Sequence, residues 1–233
     1  MKVTLSILRF DPEKDEKPYR KEYTIEAEPT DRILDCLDKV KWEQDGSLSY
    51  RRSCSHGICG SDAMMINGKN QLACQVLVKD FKKKYIRIDP LPALPIIKDL
   101  IVDMDSFFDK YEIVKPYLIN KQQPPQKERF QSPEDRALID ESVNCILCGA
   151  CSASCPSLWT NENYIGPAAL LKAYRFIFDS RDEAANERLD IIDTPDGLWR
   201  CHTIFNCVEV CPKEINITWH LSQLKMKCLE REF

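Results

Sequence analysis

The stretch of sequence that decides the fold is CILCGACSASCP, residues 145–156, in which four cysteines precede a proline at spacings of two, two and three residues. A second run, CHTIFNCVEVCP at residues 201–212, has the same length and the same final Cys-Pro pair. When the two runs are aligned, Ile204 stands where the first run has Cys148. Four cysteines at this spacing before a proline are improbable by chance. The repeated pattern therefore points to the function of the second half of the chain.

The overall composition narrows the chemistry of these cysteines. The chain has 233 residues, 12 cysteines and a net charge of −4, and its start, MKVTLSILRF, lacks the apolar segment of a secretory signal. Disulfides rarely persist in a reducing cytoplasm, so the cysteines predict metal binding. With 33 basic and 37 acidic residues, no basic surplus indicates nucleic acid. No uncharged apolar run approaches the about 18 residues of a membrane span.

The spacing of the first run, which the second run keeps except at Ile204, is that of bacterial ferredoxins, which hold two iron–sulfur clusters. There, three cysteines of one run share a cluster with the last cysteine of the other. This rule assigns a complete [4Fe–4S] set, Cys145, Cys148, Cys151 and Cys211. The second set has only three thiolates, Cys155, Cys201 and Cys207, and the apolar Ile204 stands at the fourth corner. We predict [3Fe–4S] there; the alternative is [4Fe–4S] with water or an outside residue such as His202 on the fourth iron.

A third motif, RRSCSHGICGSD at residues 51–62, precedes both runs. Its cysteines, Cys54 and Cys59, have the spacing of plant-type ferredoxins, which hold [2Fe–2S], and Cys74 supplies the distant ligand. Asp62 stands where the remaining thiolate would be, so we predict an oxygen ligand. Alternatively, Asp62 hydrogen-bonds beside a ligand Ser61 or water. A zinc site fits poorly, because zinc ligands usually come as closely spaced pairs. His56 is predicted to be a solvated loop residue.

Periodicity separates two regions of the chain. Residues 1–104 contain alternating strand patterns, as at Val3, Leu5 and Ile7, and one amphipathic helix that Thr30 or Asp31 is expected to cap. Pro90, Pro92 and Pro95 are expected to end regular structure. Residues 105–233 are predicted to be helical, with helix starts at Ser132-Pro133 and Gly166-Pro167. Cys36 and Cys228 follow apolar stripes and are predicted to be core residues.

Three one-electron centres without a nucleophile constellation or a phosphate-binding loop describe an electron carrier that needs a donor and an acceptor on partners. The order of the motifs, with further segments, resembles the iron–sulfur subunit family of succinate dehydrogenase, respiratory complex II. These segments are NCILCGAC at 144–151, GPA at 166–168, YRF at 174–176, DSRD at 179–182 and RCHTI at 200–204. The fumarate reductase family is similar, and residues 201–207 favour the dehydrogenase type.

The resemblance implies an α+β fold: a β-grasp plant-type ferredoxin domain over 1–104, then an all-α bacterial-type ferredoxin domain over 105–233. It implies that electrons pass from the FAD of a flavoprotein through [2Fe–2S], [4Fe–4S] and [3Fe–4S] to a membrane quinone. Succinate chemistry belongs to the flavoprotein, so this chain has no catalytic residue. Membrane anchor subunits, often with haem b, complete the complex. The chain is then a peripheral protein on the cytoplasmic face of a bacterial inner membrane, or on the mitochondrial matrix face.

The resemblance also implies quinone-pocket residues, which map onto Pro156, Ser157, Trp159, His202 and Ile204. A second tryptophan often follows the position of Trp159 in the family, and here that residue is Thr160. Read from the residues alone, Trp159 and Pro156 could equally shield a cluster, and His202 could be a surface residue. The rival functions are fumarate reduction, a free two-domain ferredoxin and a cysteine-rich zinc protein.

Overall fold

The computed structural model describes residues 1–231, which form two compact units. The first contains Met1–Met104 together with Ile146–Ser154. The second contains Asp105–Cys145 and the described chain from Cys155 onward. The domain bounds 1–104 and 105–233 remain a prediction. The two compact units differ from these bounds in one segment, residues 146–154, which packs with the first unit.

The first unit is built on a mixed sheet of five strands in the order β2-β1-β5-β3-β4. The β1 and β5 strands pair in parallel, whereas β1 with β2, β3 with β4 and β3 with β5 are antiparallel. This order, with one helix packed on the sheet, is the predicted β-grasp fold. The alternating Val3, Leu5 and Ile7 of β1 are fully buried. The strands are β1 Lys2–Arg9, β2 Tyr19–Glu26, β3 Ala63–Ile66, β4 Lys69–Leu72 and β5 Tyr85–Asp89.

Helix α1, Ile33–Glu43, buries an apolar stripe against the sheet. Its N-cap is Arg32, whose backbone N–H donates to the Asp35 carboxylate at 2.9 Å. The expected cap at Thr30 or Asp31 was wrong, because Asp35 reaches back and fixes the helix start one residue further along the chain. The members of the buried stripe are Ile33, Leu34, Leu37 and Val40, and Cys36 is buried with them as predicted.

A short hairpin, β6 Ile96–Lys98 and β7 Ile101–Val102, follows the prolines. The expectation that regular structure ends there was therefore wrong. The hairpin is held by Asp99, whose buried carboxylate accepts the Arg9 guanidinium at 2.8 Å and the Ser49 N–H at 2.8 Å. These polar contacts compensate the cost of burying both charges.

Residues 146–154 include α4, Ala150–Ala153, which packs on the β4 edge of the first unit. The side-chain amide of Asn70 donates to the Ala150 carbonyl at 3.1 Å. Gly149 precedes the helix at φ +80°, and a Cβ there would lie 3.0 Å from Met104 Cε. This packing holds two of the predicted cluster cysteines, Cys148 and Cys151, in the first unit.

The second unit is helical, as predicted. Ser132 caps α3 by accepting the Asp135 N–H at 3.0 Å, and α6 begins at Pro167, directly after Gly166. Both predicted helix starts are confirmed. None of the helices in residues 1–231 has the length and apolarity to cross a membrane. The helices are α2 Asp105–Ile113, α3 Pro133–Ile139, α5 Pro156–Thr160, α6 Pro167–Ile177, α7 Ala185–Ile192, α8 Asn206–Glu209 and α9 Ile217–Arg231.

The interior of the second unit lies between α6, α7 and α9, and Cys228 is buried there as predicted. A charged pair is also fully buried: the Arg188 guanidinium donates to the Asp182 carboxylate at 2.6 Å, and both side chains are 0% exposed. Arg188 also donates to the backbone carbonyls of Lys115 and Tyr117. These bonds fasten the segment after α2 to α7.

Candidate metal centres

The loop at residues 51–62 turns its backbone N–H groups toward one sulfur. The Cys54 Sγ lies 3.5, 3.4 and 3.3 Å from the backbone nitrogens of His56, Ile58 and Cys59. These donors, that of His56 first, lower the pKa of the Cys54 thiol to about 6. Gly57 adopts φ +76°, which favours glycine. The loop therefore stabilises a thiolate, as a cluster ligand requires.

The other side of this loop holds Asp62 and Cys74, which are 2% and 1% exposed. The Asp62 Oδ2 accepts the Cys74 backbone N–H at 2.6 Å. Burial first, and then the Asp62 carboxylate, raise the pKa of the Cys74 thiol to about 11. The Asp62 Oδ1 is buried and finds no hydrogen-bond donor among the described residues. A buried anionic oxygen without a donor fits coordination of a cation, so this donor set fits a cluster with one oxygen ligand.

The remaining polar side chains of the loop have other partners. The Ser61 hydroxyl lies 3.1 Å from Cys59 Sγ. The exposed His56 ring makes a 2.6 Å hydrogen bond between Nδ1 and the Cys54 carbonyl oxygen. Arg32 donates to the Ser55 carbonyl at 2.7 Å and so supports the loop from the start of α1. Within residues 1–231, no three His, Cys, Asp or Glu side chains are grouped as around a single metal ion.

Gly60 brings the loop against the 146–154 segment inside the first unit. It has φ +71°, and a Cβ built there would lie 2.8 Å from Cys148 Cβ and 3.0 Å from Cys148 Cα. It would also lie 3.1 Å from the Ile146 carbonyl oxygen. The absence of a side chain thus lets the two cysteine loops touch.

In the second unit, three cysteines from separate segments line one pocket. Its empty space is about 340 Å³, part of which is open to solvent. Ile204 and the neighbouring Phe205 are about half exposed at 47% and 50%, and they line the pocket as well. The three cysteines are Cys155, Cys201 and Cys207.

The two cysteine runs have one backbone conformation. In the first, Leu147 and Gly149 have φ +55° and +80°, and α4 follows. In the second, Thr203 and Phe205 have φ +58° and +69°, and α8 follows. A single 3-10 turn precedes each run, Ser142–Asn144 and Leu198–Arg200. Ile204 therefore occupies the backbone position that Cys148 has in the first run.

Electrostatic interactions pair the cysteines of the second unit. Burial raises the pKa of Cys155 and of Cys207, and the Cys201 thiolate raises both further. Burial also raises the pKa of Cys211, and there the neighbouring thiolate is Cys145. The grouping of Cys211 with the first run and of Cys155 with the second is the crossing that the spacing rule describes.

Each run is also fastened to a helix by a lysine. The Lys172 ammonium on α6 donates to the Cys145 carbonyl at 3.2 Å, and Lys225 on α9 donates to the Cys201 carbonyl at 2.9 Å. The repeated contact places one cation beside the first cysteine of each run. Positive charge there would favour an anionic cluster.

Comparison with known families agrees with both regions. Residues 4–109 match the family described as a 2Fe-2S iron-sulfur cluster binding domain, and residues 137–212 match the 4Fe-4S dicluster domain family. The succinate dehydrogenase iron-sulfur subunit of Coxiella burnetii is 47% identical over 231 residues, which is 98% of this chain and 97% of the relative. A mitochondrial relative from Oryza sativa, "Succinate dehydrogenase [ubiquinone] iron-sulfur subunit 1", is 48% identical over 97% of this chain and 82% of its own.

The chain belongs to the succinate dehydrogenase iron–sulfur subunit family. A solved structure described as the Mycobacterium smegmatis Sdh1 complex in the apo form contains a chain with the same fold: the TM-score is 0.86 at 26% identity, over 99% of this chain and 96% of that one. The predicted family and the predicted order of the two ferredoxin domains are confirmed.

Within this family framework, the structure brings most predicted quinone-pocket residues together. Four of the five line the pocket of the second unit: Pro156, Ser157, His202 and Ile204. Trp159 does not line it and is 52% exposed on α5. The family's quinone role for these residues remains a prediction.

Sequence reasoning did not single out several other residues of the pocket, among them Tyr164 and Thr218. Tyr164, in the connection between α5 and α6, and Thr218, in the first turn of α9, line the pocket with the three cysteines. Tyr164 is 1% exposed. Neither lies in a cysteine motif, and nothing in the sequence around them marks them as pocket residues.

Proposed function

We propose that this chain is the electron-transfer subunit of succinate:quinone oxidoreductase, which passes electrons from the FAD of a partner flavoprotein to a membrane quinone. The observation that carries the proposal is the pocket with three cysteines, in which an isoleucine has the backbone position of a fourth. The iron–sulfur clusters supply one-electron transfer when they are bound. The protein residues determine which cluster is held at each position and how its charge is compensated.

For the first centre we propose [2Fe–2S] on Cys54, Cys59, Cys74 and Asp62. The backbone donors around Cys54 favour its thiolate form. The donor-free Asp62 oxygen beside buried Cys74 supports Asp62 over Ser61 as the fourth ligand, since the Ser61 hydroxyl already contacts Cys59. A hard oxygen ligand in place of a thiolate is expected to change the potential of this centre without preventing assembly.

For the second centre we propose [4Fe–4S] on Cys145, Cys148, Cys151 and Cys211. The match to the dicluster family and the interaction of Cys211 with Cys145 support this assignment. Two of these cysteines belong to each compact unit, so the spacing rule rather than the geometry defines the set.

For the third centre we propose [3Fe–4S] on Cys155, Cys201 and Cys207. The backbone match between the two runs supports this proposal, because it puts the Ile204 side chain where a fourth thiolate would otherwise be. A branched alkyl group offers iron no ligand atom. The corner iron of a cubane would therefore have no protein ligand there, which favours the three-iron form.

We propose that quinone binds beside the third centre, at Pro156, Ser157, His202 and Ile204, with Trp159 nearby on α5, the helix that also carries Pro156 and Ser157. His202 and Ser157 offer hydrogen-bonding groups for the quinone oxygens, and Ile204 offers an apolar surface. The exposed Ile204 and Phe205 support a partner that covers the pocket. We propose that this partner is a membrane anchor with quinone, of the kind that often carries haem b. The chain would then lie on the cytoplasmic face of a bacterial inner membrane or on the matrix face of a mitochondrion.

Electron paramagnetic resonance of the purified protein, oxidised and reduced, tests this proposal. We expect a three-iron signal in the oxidised protein and signals of two further clusters after reduction. Ile204→Cys should replace the three-iron signal by a second [4Fe–4S] signal of lower potential, whereas Ile204→Val should leave the spectrum unchanged. Co-purification with a larger flavoprotein separates a complex subunit from a free ferredoxin. Colourless protein that holds zinc would disprove the proposal.

A further inference from the structure

The pocket of the second unit gives each cysteine one hydroxyl partner. The Thr218 Oγ1 lies 3.7 Å from Cys207 Sγ. The hydroxyls of Tyr164 and Ser157 hydrogen-bond the side chains of Cys201 and Cys155. These three hydroxyls come from three different segments: the start of α5, the α5–α6 connection and the first turn of α9. The three hydroxyls therefore lie outside the sequence that the two cysteine runs share, and the similarity of the runs does not explain why each sulfur has a hydroxyl partner.

Tyr164 and Thr218 are held firmly in these positions. Both are buried, at 1% and 7% exposure, and Thr218 is fixed at the start of a long helix. A phenol keeps its proton at neutral pH, so the Tyr164 hydroxyl can act as a donor. Once a sulfur is a thiolate, it can only accept, so both hydroxyls donate to sulfur.

Donors to a ligand sulfur act on the redox equilibrium of the centre. Reduction adds an electron whose charge spreads onto the sulfurs, and an O–H···S bond stabilises that added charge more in the reduced than in the oxidised form. Because Tyr164 and Thr218 are themselves buried, solvent screens the effect of their hydroxyls weakly. A hydroxyl on each sulfur therefore raises the potential of the last centre before the quinone.

We propose that Tyr164 and Thr218 are positioning residues that raise the reduction potential of the third centre, by donating hydrogen bonds to the thiolates of Cys201 and Cys207. This inference rests on the proposed function, in which these cysteines hold [3Fe–4S]. Ser157 makes the equivalent contact with Cys155, but its proposed place in the quinone site makes it a poorer test.

The inference is tested by redox titration of the three-iron signal in the intact complex. Tyr164→Phe removes the hydroxyl and keeps the ring, and we expect the reduction equilibrium to fall about tenfold, or about 59 mV. Tyr174→Phe is the matched control: Tyr174 is equally buried, but its hydroxyl donates to the Leu138 carbonyl at 2.9 Å. This control should leave the potential unchanged.

Thr218 provides a second pair of variants that preserves packing. Thr218→Val keeps the shape and removes the hydroxyl, so it should lower the potential, whereas Thr218→Ser keeps the hydroxyl and should stay near the original value. The proton coupling of the three-iron signal that is lost on transfer to deuterated buffer should be smaller in Tyr164→Phe than in the unmodified complex.

The outcomes separate this inference from the proposed function. Absence of a three-iron signal in the unmodified complex would overturn the proposed function itself. A three-iron signal of the same potential in Thr218→Val and Thr218→Ser, with unchanged proton coupling in Tyr164→Phe, would overturn only the role of the hydroxyls. If Tyr164→Phe fails to assemble, the Thr218 pair decides the result.

Discussion

Replacing Gly60 by alanine should damage the contact between the first two cysteine loops. A Cβ on residue 60 would come within 2.8 Å of Cys148 Cβ and 3.1 Å of the Ile146 carbonyl oxygen. The atoms it meets belong to the backbone and to a Cβ, so no flexible side chain can move aside. The same substitution at Gly68, which has φ +85° and nothing within 4 Å, provides a control.

The cost of Gly60→Ala has two parts. Both variants place an L-residue in the left-handed region, which costs about 1–2 kcal/mol. Only Gly60→Ala adds overpacking, which costs about 1–3 kcal/mol more. For a chain of this size, each kcal/mol lowers the Tm by about 2–4 °C. Gly60→Ala should therefore melt about 2–12 °C below Gly68→Ala.

The assay is the loss of visible cluster absorbance on heating, at one scan rate for all variants because cluster loss is irreversible. We also expect Gly60→Ala to bind less iron as purified, since the clash displaces Cys148. If Gly60→Ala and Gly68→Ala melt together and carry equal iron, the close approach of the two loops is wrong, and strain alone accounts for both glycines.

Three further predictions follow from single side chains. Arg188→Met should lower the stability of the complex by about 3–5 kcal/mol, because it leaves the buried Asp182 carboxylate unpaired. Arg136→Met removes one partner of an exposed ion pair and should cost less than about 1 kcal/mol. Equal melting curves for the two variants would contradict this difference. Burial lowers the pKa of His220 below its usual 6.5, because the buried site disfavours the charged ring. The stability that the neutral His220 ring contributes is therefore complete above pH 6.5 and is lost as the pH falls through the lowered pKa. Between about pH 7 and pH 5, the Tm of His220→Gln should therefore fall less than the Tm of the unmodified chain. An equal fall in both would contradict this prediction. Trp159→Ala should lower quinone reduction and spare the reduction of artificial dyes by succinate; loss of both activities would indicate misassembly instead.

The fold was largely predictable because its signals are local. Alternation in β1 and the helix starts at Ser132 and Gly166 depend on neighbouring residues only. The sequence-based predictions were wrong where a residue far away in the chain determines the local structure. The β6–β7 hairpin, for example, depends on Asp99, whose carboxylate is held by Arg9 from the opposite end of the unit.

The proposed cluster ligands could be named for a related reason, because cysteine spacing predicts which sulfurs share one cluster. The ligand sets themselves remain a prediction. The hydroxyls of Tyr164 and Thr218 could not be named in this way, because they approach the pocket from segments without any motif. The two lysines that hold the runs escaped for the same reason, since each lies more than twenty residues from the carbonyl it contacts. Spacing predicts which atoms bind iron, whereas three-dimensional packing determines which other groups lie beside those atoms.

The comparison of the two runs also explains why a phenylalanine tolerates a strained backbone. Gly149 and Phe205 have nearly the same conformation, φ +80° and ψ −10° against φ +69° and ψ −8°. In the first run, a Cβ would lie 3.0 Å from Met104 Cε, so a side chain there would require Met104 to shift as well as a left-handed backbone. In the second run, the Phe205 ring is half exposed beside Ile204, and the chain keeps it despite a backbone cost of about 1–3 kcal/mol. A strained backbone that is kept at an exposed side chain indicates a function for that side chain, so we assign Phe205 to the proposed anchor contact. The replacement of cysteine by Ile204 then accounts by itself for the smaller number of thiolate ligands in the second run.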